Sequence, residues 1–125
     1  MVLGIGTDII EVARVAKSID SQGFIDKVFS SAEISYCEPK INKAEHYAVR
    51  FAAKEAFGKA LGTGFRGDIN FTEIEILNDE LGKPYVQTSG KTQSFISQRN
   101  VANIHISLSH TKEMALAMVV LEGIS

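Results

Sequence analysis

A chain of 125 residues is long enough for one compact domain with its own core, and residues 1–125 read as a single domain. Acidic residues outnumber basic ones, 15 to 13, which argues against a nucleic-acid module, because such modules carry a clear basic excess. The lone Cys37 can form neither an intrachain disulfide nor a thiolate zinc site, so it reads as a buried, reduced thiol in an intracellular compartment. The start, MVLGIGTDII, has no basic segment and no long apolar run, and the apolar stretch Met114–Leu121 is too short to span a bilayer. The expectation is a cytoplasmic protein with no signal peptide and no membrane anchor.

In chain order, residues 3–10 read as a buried apolar strand ending in the polar pair Thr7-Asp8, and residues 11–18 follow as an amphipathic helix with Arg14 and Lys17 outward. Ser30 and Glu33 make a capping box for a short helix that stops before Pro39. Asn42 is an N-cap candidate for the main helix, residues 44–61, which ends at Gly62. Residues 71–77 and 85–88 read as paired strands, and residues 91–98 as a weakly marked helix. Residues 102–110 alternate, with Ile104, Ile106 and Leu108 on one side and His105, Ser107 and Ser109 on the other. Residues 114–121 return as an apolar strand. The sum is an α+β fold, a mainly antiparallel sheet packed against one long central helix.

The main helix, AEHYAVRFAAKEAFGKAL, is apolar nearly all the way round, yet Lys54 and Glu55 sit at its middle. A buried charge is costly unless paired or bound to a metal. The readings stay open: both side chains reach an exposed stripe, or Glu55 pairs with Lys59 at i,i+4, or Glu55 is a ligand or base. Asp8 is likewise either the N-cap of the following helix or a ligand. A carboxylate from a strand and another from a buried helix suit a hard cation such as magnesium, which leaves positions for substrate phosphates. Gly62-Thr63-Gly64 is either a plain helix stop or a loop that lets phosphates approach the backbone. His110, at a strand end, is structural or catalytic. Gly58 interrupts the alanine run at a cost of about 1 kcal/mol relative to Ala, and nothing in the pattern asks for it.

Three blocks, GIGTDIIEVARV, RFAAKEAFGKALGTG and ISLSHTKEMALAMVVLE, in this order and at these separations, resemble one family, the small bacterial holo-acyl-carrier-protein synthases. The resemblance covers essentially the whole chain. It implies transfer of the 4'-phosphopantetheine group of coenzyme A to a serine of an apo-acyl carrier protein, in support of fatty acid biosynthesis. It also implies magnesium as cofactor, held by Asp8 and Glu55, with Lys59 near the coenzyme A phosphates and Gly62, Thr63 and Gly64 as the adjoining loop. Arg50 and His110, with the neighbouring Thr111, are implied as contacts to coenzyme A, the first two around its 3'-phosphate. Arg14, with Lys17 on the same helix face, is implied to meet the acidic carrier protein. The family further implies a homotrimer with sites between subunits. Two other readings share the carboxylates: a magnesium-dependent enzyme on another nucleotide pyrophosphate, which would not need Arg14, and a non-catalytic coenzyme A or carrier-protein sensor.

Overall fold

The structure, a computed structural model, describes residues 1–124. Strand β1 (Val2–Glu11) is followed by three short helices, α1 (Val12–Ser18), α2 (Gln22–Val28) and α3 (Ser31–Cys37), and by the long helix α4 (Lys43–Leu61). A 3-10 turn (Phe71–Glu73) leads into the hairpin β2 (Ile74–Asn78) and β3 (Pro84–Thr88), then α5 (Gly90–Gln98), β4 (Val101–His110) and β5 (Met114–Gly123). The fold is α+β and every strand pair is antiparallel, but the strands form two sheets: β1-β5-β4, and the separate hairpin β2-β3.

Helix α4 lies across the three-stranded sheet, and small residues on both sides set how close it comes. Ala115, Ala117, Val119 and Leu121 of β5 are buried on the inner face, and Ala52, Ala53, Ala56 and Ala60 are buried on the helix. Gly4 and Gly6 of β1 complete the contact: a methyl group on either would overlap the carbonyl oxygen of Ala60 or of Ala56. Backbone therefore meets backbone here, which accounts for both the G-x-G of the strand and the alanines of the helix. The opposite face of the sheet is open, with Ile5 58%, Ile9 62%, Leu116 45% and Met118 39% exposed.

Several expectations hold. The Ser30–Glu33 capping box is present, with Glu33 N–H donating to Ser30 Oγ at 3.3 Å and Ser30 N–H to Glu33 Oε1 at 3.0 Å. Gly62 ends α4 with φ 79°, the left-handed conformation that favours glycine. Cys37 is buried, and burial pushes its thiol up to about 11. Gly58 now has a reason: the loop after α4 folds back so that Gly64 N–H donates to the Gly58 carbonyl at 3.1 Å. A β-carbon at Gly58 would lie 3.2 Å from both Gly64 Cα and the Phe65 ring.

Other expectations need correction. Asp8 is no N-cap, because β1 runs on to Glu11 and pairs Asp8 with Ala117. Asn42 makes no capping hydrogen bond. Strand β2 starts three residues late, after the 3-10 turn. Helix α2 had no counterpart, although Ser21 caps it through Phe24 N–H and Phe24, Ile25 and Val28 give it an apolar side. With only two turns, its periodicity is too short to stand out.

Replacing Gly6 by alanine should cost about 1–3 kcal/mol of stability, the usual penalty of overpacking, because the strand or the helix must retreat. Chemical denaturation of Gly6→Ala beside Gly23→Ala, an exposed glycine with open surroundings, measures the difference.

Candidate active site

One cluster forms where β1 meets the middle of α4. Asp8 projects from the inner face of β1 toward the helix, and its side chain is 17% exposed. Lys59 Nζ lies 3.0 Å from Asp8 Oδ1 and also donates to the Thr7 carbonyl at 3.0 Å. Lys59 thus pairs with Asp8 rather than with Glu55, one helical turn before it. Glu55 is half-buried, and burial pushes its carboxyl above the usual carboxylate range. The Asp8 charge adds to that rise, while Lys59 and Arg14 pull against it. Asp8, Glu55, Lys59 and Arg14 therefore share one electrostatic neighbourhood, although they come from β1, α1 and α4.

The companion residue Lys54 does not join them. Its amine is fully buried on another side of α4, where it is paired with Glu33. Lys17 stays exposed in the last turn of α1, next to Arg14 on the solvent side. Gly62-Thr63-Gly64 caps the far end of α4 beyond Lys59, and its turn is closed by Gly62 N–H to the Lys59 carbonyl at 3.0 Å. The loop therefore adjoins Lys59.

A second cluster lies at the other end of the helix. His110, the last residue of β4, places Nδ1 2.9 Å from Glu45 Oε1. Its ring meets His46 edge-on, with centroids 5.6 Å apart. Arg50 is nearly buried: Nε donates to the Ile76 carbonyl, Nη1 to the His46 carbonyl and Nη2 to Asn78 Oδ1 at 2.7 Å. The guanidinium rests on the Tyr36 ring, 4.4 Å from its centroid. Tyr36, His46, Arg50, Asn78, Pro84 and His110 line a cleft of about 200 Å³. Burial lowers the proton affinity of His46, and the charges of Arg50 and His110 lower it further. Thr111 closes the β4–β5 turn, its Oγ1 accepting from Glu113 and Met114 N–H.

Tyr36, Glu45, His46 and Asn78 escaped the sequence reading. Only His46, at i,i+4 from Arg50, carried a signal, because two residues one turn apart share a helix face. The two clusters do not converge. Arg50 and Glu55 are about 140° apart around α4 and about 7.5 Å apart along its axis.

The first cluster fits magnesium. That ion takes one or two protein carboxylates and keeps its other positions for water and phosphate oxygens. Asp8 and Glu55 supply two, and their mutual repulsion, felt in the raised Glu55, is what a divalent cation relieves. Among the described residues no group of three or more His, Cys, Asp or Glu side chains is placed to cage a metal, so an ion here would take its remaining ligands from water or substrate oxygens.

The model of the 4'-phosphopantetheinyl transferase superfamily matches residues 4–119. A holo-[acyl-carrier-protein] synthase of Trichlorobacter lovleyi is 46% identical, covering 98% of this chain and 99% of that protein. Among solved structures, the holo-[acyl-carrier-protein] synthase of Neisseria meningitidis is similar with a TM-score of 0.91 and 34% identity, over 98% of this chain and 99% of that one. That of Bacillus anthracis, in complex with CoA (3',5'-ADP), is similar with a TM-score of 0.84 and 39% identity, over 99% of both chains. Sequence blocks and fold agree, and the chain belongs to the 4'-phosphopantetheinyl transferase superfamily.

Proposed function

We propose that this protein is a magnesium-dependent holo-acyl-carrier-protein synthase, transferring 4'-phosphopantetheine from coenzyme A to a serine of an apo-acyl carrier protein. The observation that carries the reading is the Asp8–Glu55–Lys59 cluster, two carboxylates and an ammonium drawn together at the centre of a chain with full-length synthase relatives. The product carrier would serve fatty acid biosynthesis in the cytoplasm. Among the described residues no helix is long and apolar enough to cross a membrane.

The carrier's serine oxygen attacks the β-phosphorus of coenzyme A. The bond from that phosphorus to the bridging oxygen breaks, and its electron pair leaves on 3',5'-ADP. Bound magnesium supplies neutralisation of the charge that builds on the pyrophosphate oxygens. Asp8 and Glu55 would hold it, and the exposed Lys59 ammonium adds a second positive charge on the same side. Glu55, half-buried beside the cation it would hold, would take the serine proton directly or through a water. Arg50, His110 and the adjoining Thr111 would meet the nucleotide end of coenzyme A. Gly62, Thr63 and Gly64 would flank the phosphates, through turn amides rather than a helix dipole, since a helix C-terminus repels anions.

The separation of the two clusters supports a site shared between copies. A donor held at Arg50 and His110 of one protomer would reach Asp8 and Glu55 of its neighbour. The open apolar face of the three-stranded sheet supplies a surface for a homotrimer. On the solvent side, Arg14 and Lys17 offer positive charge to an acidic carrier protein.

Mass spectrometry of an apo-acyl carrier protein incubated with this protein, coenzyme A and magnesium should show one added phosphopantetheine on a serine, and none with EDTA. Release of 3',5'-ADP without carrier protein would favour the other nucleotide-pyrophosphate enzyme. Binding of coenzyme A with no product in either case would favour the sensor. Arg14→Glu should raise the carrier-protein KM about tenfold at low salt, with the difference shrinking as salt screens it. An unchanged KM would remove Arg14 from docking. Met118→Lys should convert trimer to monomer in sedimentation velocity and abolish transfer, because a lysine cannot be desolvated on that face without a partner.

A further inference from the structure

The interior holds two charged side chains that the reaction above does not use. Lys54 and Glu33 are fully buried, with Nζ 2.6 Å from Oε1. The ammonium also donates to the Val28 carbonyl at 2.7 Å and the Phe71 carbonyl at 2.8 Å, so its three protons have three acceptors. Glu33 in turn accepts Ser30 N–H on Oε1 and Ile76 N–H on Oε2, each at 3.0 Å. The network is complete: among the described residues no buried side-chain nitrogen or oxygen lacks a partner.

Stability alone is a poor reason for such a pair, because apolar residues of similar volume in its place are often neutral or stabilising. Its connections suggest another. Lys54 immediately precedes Glu55, and Arg50 lies one turn before Lys54 on the same side of α4. Ile76 is gripped from both sides, its N–H by Glu33 and its carbonyl by Arg50 Nε at 3.2 Å. A closed circuit therefore runs from Lys54 through Glu33 and Ile76 to Arg50 and back along the helix. Apolar contacts tolerate small rotations of a helix, whereas directional hydrogen bonds weaken steeply with angle.

We infer that the Glu33–Lys54 pair is a positioning device for the transfer reaction: it holds α4 at the rotation where Glu55 meets Asp8, and it fixes Arg50 in the cleft that ends at His110. This rests on the transferase reading. The wild-type reaction tests that reading, and variants of the pair test the inference.

The decisive variant is Glu33→Leu/Lys54→Met, which replaces the pair by apolar side chains of similar volume. Glu33→Gln, which keeps the shape and removes the charge, is made beside it. Thermal unfolding gives the folded fraction, kcat is expressed per folded protein, and coenzyme A affinity is measured by calorimetry without carrier protein. The expected result is a folded double variant whose kcat falls roughly 10–100-fold, the scale of an ångström-sized misplacement. Its affinity for coenzyme A should weaken about fivefold, with the carrier-protein KM unchanged, because α1 lies outside the circuit. A purely structural role would lower activity only in proportion to folded protein and leave both constants alone. That outcome overturns the inference, as would wild-type kinetics in the folded double variant. Failure of both variants to fold also overturns it, by assigning the pair to folding alone.

Discussion

The close approach of α4 to β1 is the constraint on which the rest depends. Gly4 and Gly6 bring the strand against the carbonyls of Ala60 and Ala56, a distance no side chain would allow. Asp8 follows on the same face of the strand, two residues past Gly6. It is thereby carried to the helix at the level of Glu55 and Lys59. The cluster is thus a consequence of backbone packing, and its carboxylates come near each other because the glycines leave no room to stand apart.

Such proximity has an electrostatic cost, and the protein partly offsets it. Lys59 sits on Asp8 and Arg14 faces Glu55 from α1, yet Glu55 still feels burial and the Asp8 charge more strongly than either cation. A divalent cation would relieve the negative charge left at such a site, with its other positions open to water or phosphate oxygens. On the reading proposed above, this arrangement would hold a metal and leave positions open for a phosphate-bearing ligand.

The second cluster obeys a different logic. Arg50 spends three of its donors on protein acceptors and lies flat on Tyr36, so its direction is set before any ligand arrives. His110 is oriented by Glu45 in the same way. Groups held rigid in this way would lose little entropy on meeting a ligand. They lie on another side of α4 from Asp8 and Glu55, and the function proposed above would assign binding to one surface and chemistry to the other.

Much was legible in the sequence because it is local. The alternation of β4, the capping box at Ser30, the glycine stop at residue 62 and the apolar wrap of α4 each depend on neighbours within a turn or a strand. The three blocks that place the chain in its family were legible too, and with them Asp8, Glu55 and Lys59. What the tertiary structure decided is which charges meet. Lys54 and Glu55 are adjacent in sequence and look alike there; 100° of helix rotation sends one to Glu33 in the core and the other toward Asp8. Glu33 reads only as a capping residue until Lys54 and Ile76, 21 and 43 residues away, arrive at its two oxygens. Gly58 reads as a flaw until Gly64 and Phe65 fold back over it. Pattern in a sequence reports which face of an element is apolar; the partners on that face are chosen by packing between distant segments, and only the folded chain shows them.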